Sequence, residues 1–123
     1  MERIGREHRL RASRDFARVK SDGVPFRGRY CLVVLGLASG EPTRVGFVAS
    51  RRGVGNAVQR NRARRRLREI VRRRWERLPK IGYLMMFIAH RSALAAPYQD
   101  LASDVERVLA AAGALGPPAR GAA

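Results

Sequence analysis

The chemistry-bearing stretch of this chain runs from Arg60 to Arg72: Arg-Asn-Arg-Ala-Arg-Arg-Arg-Leu-Arg-Glu-Ile-Val-Arg. Guanidinium groups are planar forks that grip a phosphate through two parallel hydrogen bonds, so a dense set of them suits a polyanion. Between Arg60 and Arg74 the only acid is Glu69, so pairing at i,i+4 cannot neutralise the set. A disordered basic arm needs no apolar rhythm, but this block has one. At helical spacing Ala63, Leu67, Ile70, Val71, Trp75 and Leu78 fall on one face. Asn61, Arg65, Arg68 and Arg72 form a strip beside that face, and Arg62, Arg66 and Arg73 flank its other side. The pattern predicts a helix docked on a core, with fixed rows of arginine toward solvent. Charge runs ordinarily end as solvated faces, yet like charges crowded this closely cost stability unless a partner meets them. The block therefore points to nucleic acid, with contacts that make affinity salt-sensitive and position a partner without reading its bases.

A second constellation is aromatic. Phe16, Tyr30 and Phe47 are predicted to converge on one sheet face, either as core or as an open cleft where rings stack on unpaired bases. Other chemistries find no support. One cysteine, Cys31, and two histidines, His8 and His90, give no metal-ligand spacing, and no catalytic triad is visible. His8 reads as a solvated residue of a basic arm, His90 as a surface-loop residue, and Cys31 as a buried thiol. Gly53 and Gly55 lack the partners of a phosphate-binding glycine loop.

The whole chain agrees with a basic, folded domain. Its 123 residues suit a single core, and 46% of them are hydrophobic, too many for a disordered arm. The formal net charge of +16 repels itself in a compact state, and an acidic partner relieves that repulsion. Nucleic acid is the first candidate and an anionic membrane surface a distant second. No apolar stretch approaches the ~20 residues of a membrane span, and no signal-like segment begins the chain. The expectation is a soluble protein of a reducing cytoplasm.

These side chains need elements to hold them. Ser13 as N-cap and Asp15 in the first turn predict a short helix from about Arg14 to Ser21, stopped by Gly23 and Pro25. Arg29 to Leu37 reads as a strand, 38–43 as a turn, and Arg44 to Ala49 as a second strand antiparallel to the first through that turn. A glycine-containing loop, Ser50 to Asn56, leads into the arginine helix, read as Ala57 to Leu78 and ended by Pro79. Tyr83 to Ala89 is a third strand, apolar nearly throughout and so covered on both faces. A last helix follows Pro97, with Tyr98, Leu101, Val105, Val108 and Leu109 as its stripe. The order is α-β-β-α-β-α: an α+β domain over 1–112, with a loose tail over 113–123.

At this point the residues resemble a family. Arg60-Asn61-Arg62-Ala63-Arg64-Arg65 looks like the Arg-Asn-Arg motif of the bacterial ribonuclease P protein subunit. The lead-in Val45-Gly46-Phe47-Val48-Ala49-Ser50-Arg51-Arg52, followed by Gly55-Asn56-Ala57-Val58, is similar to that family's sequence before the motif. His8-Arg9-Leu10 with Asp15-Phe16, and Ala89-His90-Arg91 after an apolar strand, also fit, so the likeness spans roughly 6–110. The resemblance implies a central, mostly antiparallel sheet with a left-handed β-α-β crossover (ribosomal protein S5 domain 2-like). It implies an accessory subunit of an endonuclease whose active site and Mg2+ belong to a catalytic RNA. That ribonucleoprotein removes the 5′ leader of precursor tRNA, leaving a 5′-phosphate. No catalytic and no metal-ligating residue is then expected on the protein, and its partners are ribonuclease P RNA and precursor tRNA, with no membrane and no obligate protein partner. By the same resemblance Arg51, Arg52, Asn56, Arg60, Asn61, Arg62, Arg64, Arg65, Arg68 and Arg72 meet the catalytic RNA. Phe16, Tyr30 and Phe47 lie in or near a leader-binding cleft between the first helix and the sheet. Many members carry a second aromatic one turn after the position of Phe16, where this chain has Lys20; a leader phosphate contact takes its place. The alternative is a structural RNA-binding protein, such as a ribosomal component.

Overall fold

A computed structural model describes residues 4–11 and 13–117. It contains α1 (Ser13–Asp22), β1 (Val24–Arg27), β2 (Cys31–Pro42), β3 (Arg44–Val48), α2 (Ala57–Arg73), β4 (Ile81–Ala89) and α3 (Tyr98–Ala111). Short 3-10 turns lie at Arg6–His8, Trp75–Arg77 and Arg91–Ala93. The strands form one mixed sheet in the order β1-β2-β4-β3. β1 pairs antiparallel with β2, and β2 with β4, while β3 runs parallel to β4.

The expected hairpin between the first two long strands is therefore absent. β3 does run opposite to β2, but β4 lies between them and takes the hydrogen bonds of both. The reason is in the residues of β4. Met85, Phe87 and Ala89 are buried in one cluster, Leu84 and Met86 in another on the opposite face, so the strand needs cover on both sides. A central place supplies it, and α2 is the connection that parallel neighbours require. β2 departs from regular pairing between Ala38 and Pro42, where Gly40 takes a positive φ of 77° before Pro42 pairs with Ile81.

Two further differences concern Pro25 and the end of α2. α1 does stop before Gly23, yet Pro25 falls inside β1, because an edge strand tolerates a residue with no N–H. α2 ends at Arg73 instead of continuing to Leu78. The Arg74 side chain turns back to the Ile70 carbonyl (3.0 Å) and to Glu106 (2.8 Å), and the chain tightens into the Trp75–Arg77 turn. A 3-10 turn aligns residues three apart, so Trp75 and Leu78 still both reach the core.

The sheet is covered on both faces. α1 packs on β2 and β4 from one side, and α2 and α3 from the other, over β3–β4 and β1–β2 respectively. The larger cluster fills the α2/α3 side, joining Leu67, Ile70 and Val71 of α2, Leu101, Val105 and Leu109 of α3, and Phe87 of β4. Asp104 of α3 is 3% exposed and accepts the backbone N–H groups of Arg29 (2.9 Å) and Tyr30 (2.8 Å), while also pairing with Arg107. It thereby fixes the entry into β2. Beside it, burial and then the charge of Asp104 push the Cys31 thiol up to about 12, which agrees with an inert core cysteine.

The basic N-terminal arm is not loose. Leu10 N–H donates to Val45 O (2.8 Å), and Arg9 bridges Val45 in parallel, so the arm lines the free edge of β3. His8, read from sequence as solvated, is instead half-buried: its Nδ1 lies 2.6 Å from Thr43 O and its ring sits edge-on to Trp75 at 4.9 Å. The start of the expected tail is also docked. Ala114 is buried, and Gly116 N–H donates to Arg77 O (2.7 Å); the rest of that tail, 118–123, lies outside the described residues.

Replacing Asp104 with alanine leaves two backbone donors without a buried acceptor, so Asp104→Ala is expected to lose about 3 kcal/mol of stability. Thermal unfolding checks this: a melting temperature within a degree or two of the parent contradicts it.

Candidate nucleic-acid interface

α2 is held rigidly from both ends and from beneath. Asn56 and Gln59 form a reciprocal capping box: Asn56 Oδ1 accepts the Gln59 N–H, and Gln59 Oε1 accepts the Asn56 N–H, both at 2.9 Å. Gly55 precedes it with a φ of 142°, and a Cβ there would stand 2.0 Å from Gln59 Oε1, so only glycine permits the box. Arg91 donates to Val54 O (2.7 Å) and ties the preceding loop to the end of β4. Ala63, Leu67, Ile70 and Val71 are wholly buried beneath the helix.

On this frame the arginines separate into two groups. Arg66 donates to the carbonyls of Ala93 (2.6 Å), Leu94 (3.1 Å) and Ala96 (2.6 Å), and so belongs to the architecture. Arg72 and Arg73 converge on Glu69, whose hydrogen bonds to Arg72 and then Arg73 hold its carboxyl below the usual range. Arg74 and Arg77 share Glu106. Arg60 donates to Gly55 O (2.9 Å), and Arg64 bonds Asn61 Oδ1. What remains is Arg62, Arg65 and Arg68 on the helix with Arg51 and Arg52 on the loop before it. All five are exposed, and among the described residues they hold no hydrogen bond or ion pair. Partial burial against Phe47, and then the charges of Arg64 and Arg9, lowers the Arg68 guanidinium from its ordinary value.

The residues expected to meet an RNA thus stand differently. Arg51, Arg52, Arg62, Arg65 and Arg68 are free to do so. Asn56 and Asn61 are exposed, but each side-chain oxygen is already engaged within the helix start. Arg60, Arg64 and Arg72 are half-buried and tied to the protein.

The expected aromatic trio does not converge on one face. Phe16 lies on the α1 side, close over Gly46, where a Cβ would meet Phe16 Cε1 at 3.2 Å and Leu10 Cβ at 3.0 Å. Phe47 points to the α2/α3 side, stacked on Phe87 at 5.3 Å with Arg68 over it at 5.4 Å. Alternation along a strand puts neighbouring positions of β3 on opposite faces, which is why the two rings part. They meet only at the edge of β3, in a pocket of about 260 Å³. Ile4, Leu10, Val45 and Gly46 complete its apolar wall, and Arg9, Arg11, Arg68 and Arg72 surround it. Tyr30 is elsewhere, at the entry to β2 with Arg29 over its ring at 5.3 Å. Lys20 is exposed one turn beyond Phe16 and does not line this pocket.

The structure adds a feature that sequence reading missed. Leu32, Val48 and Ile88 lie in register across β2, β3 and β4 on the α1 side, half-buried, with exposed Arg27 of β1 at the end of the row. Together with Phe16 they make an apolar shelf that α1 leaves partly open. Period-two alternation carries the signal, but only once the strand neighbours are known.

These features define a class: a small α+β domain with one rigid face of uncompensated arginine and, on the other side of its sheet, an open apolar shelf. A profile of the family described as Ribonuclease P matches residues 4–113. The ribonuclease P protein component of Symbiobacterium thermophilum is 43% identical over 109 residues, covering 88% of this chain and 93% of that one. That of Chloroflexus aurantiacus is 43% identical over 105 residues, covering 85% and 76%. Among solved structures, the RNase P protein of Staphylococcus aureus shares the fold with a TM-score of 0.76 at 24% identity, over 89% of this chain and 98% of its own. The RNase P protein from Thermotoga maritima matches at 0.71 and 27% identity, over 82% and 94%. The chain belongs to the ribonuclease P protein family.

The division of the arginines is testable by stability alone. Arg66→Ala is expected to lower stability by about 2 kcal/mol as three carbonyls lose a charged donor, and Arg65→Ala to change it by less than about 0.5 kcal/mol. Equal losses in chemical denaturation contradict the division.

Proposed function

We propose that the chain serves ribonuclease P as a non-catalytic RNA-binding subunit with two working surfaces. The first, formed by Arg51, Arg52, Arg62, Arg65 and Arg68, binds the catalytic RNA. The second, formed by Phe16 and the shelf of Leu32, Val48 and Ile88, holds the single-stranded 5′ leader of precursor tRNA. The observation that carries this reading is the set of exposed arginines without counter-charge on a helix whose inner face is wholly buried. Folding keeps those charges together against their repulsion, and an RNA backbone offers phosphates that relieve it.

Each surface has a physical task. The arginine face screens the repulsion between two RNAs, and the shelf limits the freedom of the leader, so the scissile phosphate is presented in one geometry. A ring stacks on any base and aliphatic side chains pack against it without regard to sequence, which suits leaders of many sequences. Arg27 at the end of the shelf and Lys20 near Phe16 are placed to meet leader phosphates.

Hydrolysis itself is assigned to the RNA. Among the described residues no group of three or more His, Cys, Asp or Glu side chains comes together. In this proposal Mg2+ held by RNA phosphates would supply the activated water and the charge that steadies the leaving oxygen, and this chain's residues bind and orient the RNAs. The proposed setting is the cytoplasm, beside that RNA. Among the described residues no helix is long and apolar enough to cross a membrane.

Reconstitution with a cognate catalytic RNA at low Mg2+ tests the reading: the protein is expected to raise precursor tRNA cleavage, and no gain would sink it. Arg65→Ala with Arg68→Ala is expected to weaken binding of the catalytic RNA and to reduce the salt slope by about one to two. Phe16→Ala is expected to spare that binding and to reduce the preference for precursor over mature tRNA by roughly ten-fold. The same defect from both changes would show that the two surfaces are one.

A further inference from the structure

The start of α3 carries an aromatic side chain that neither proposed surface uses. Tyr98 is 39% exposed and belongs to neither core cluster. It borders an open groove of about 470 Å³ whose other walls are Arg62, Arg65, Arg66 and Glu69 of α2. A tyrosine left partly in water is ordinary by itself, so the case rests on what surrounds the ring.

Arg66 clamps the carbonyls of Ala93, Leu94 and Ala96, the segment that leads directly into Pro97 and Tyr98. The ring is therefore held at a set place relative to α2 and does not ride on a free loop. Arg62 and Arg65, on the same groove, are exposed and have no partner among the described residues. Glu69 would repel a phosphate, but its carboxylate is turned to Arg72 and Arg73, which offset its charge. The groove so combines one positioned ring with two uncompensated guanidinium groups. A regular duplex offers phosphates and no base face, whereas an unpaired nucleotide offers both.

We propose that an unpaired nucleotide of the catalytic RNA docks in this groove, its base stacked on Tyr98 and its flanking phosphates at Arg62 and Arg65. The groove adjoins the arginine face and lies across the sheet from the leader shelf, so the catalytic RNA is the source that fits. The inference rests on the reading of α2 as the RNA-binding face, and extends the contact from phosphates to a base.

The test measures binding of the catalytic RNA by the parent protein and by Tyr98→Ala, Tyr98→Leu, Tyr98→Phe and Arg65→Ala across a salt series. Tyr98→Ala and Tyr98→Leu are expected to weaken binding about ten-fold with the salt slope unchanged, because a ring releases no counter-ions. Tyr98→Phe is expected to stay within about two-fold. Tyr98→Leu keeps apolar bulk at the helix start, so it decides the matter if the alanine protein does not fold. Parent-like binding by the leucine or alanine variant, or a loss confined to precursor tRNA on the assembled complex, overturns the proposal. If Arg65→Ala weakens binding and the Tyr98 variants do not, the base contact alone fails; if none does, the reading of α2 fails with it.

Discussion

The middle of β4, Leu84 to Phe87, is buried on both faces, and the rest of the molecule is arranged to meet that constraint. Leu84 and Met86 look toward α1, while Met85, Phe87 and Ala89 look toward α2 and α3. A strand of this kind is stable only with a strand on each side and helices above and below. β2 and β3 supply the strands. Because β3 precedes β4 and runs parallel to it, the chain must cross over one face between them, and α2 is that crossover. The burial of one apolar strand thus brings the arginine helix to the surface of the sheet.

Once placed there, α2 has to hold like charges together. Its inner face contributes four wholly buried side chains, a gain of several kcal/mol by ordinary transfer values, against repulsion that water and salt screen on the outer face. The capping box and the Arg91 tie to Val54 fix its start. The arginines nearest the protein answer carbonyls and the few acids, and those farthest out answer nothing within the described residues. Charge without a counter-ion on a rigid frame is what the proposed RNA contact rests on: a partner that supplies phosphates removes a cost the fold already carries.

The same economy appears at the sheet edge. β3 would present unpaired backbone groups to solvent, and the arm from Ile4 to Leu10 takes them up through the Arg9–Val45 bridge and the Leu10 bond. His8, lodged between Thr43 and Trp75, pins the arm in place. The arm's covering of the edge also encloses the pocket between Phe16, Phe47 and Arg68, so an element that protects the fold shapes part of the basic surface.

How much of this was legible beforehand follows the range of each interaction. The amphipathic period of α2, its Asn56 start and the two-sided character of β4 are local patterns, and they were readable from the residues alone. So was the family, because the Arg60–Arg65 motif and its lead-in form one linked string. The pairing of β3 with β4 was not, since a turn between two strands looks the same whether or not a third strand later enters between them. Nor was the strand at Pro25, which only an edge position permits. The arginines show the difference best. By sequence Arg65 and Arg66 are neighbours of equal charge; in the fold one faces solvent and the other holds three carbonyls that the chain brings from Ala93 to Ala96. Composition and period determined that this protein would carry an arginine face on a helix. Contacts between residues distant in the chain decided which arginines that face contains, because a counter-charge or a carbonyl acts through space.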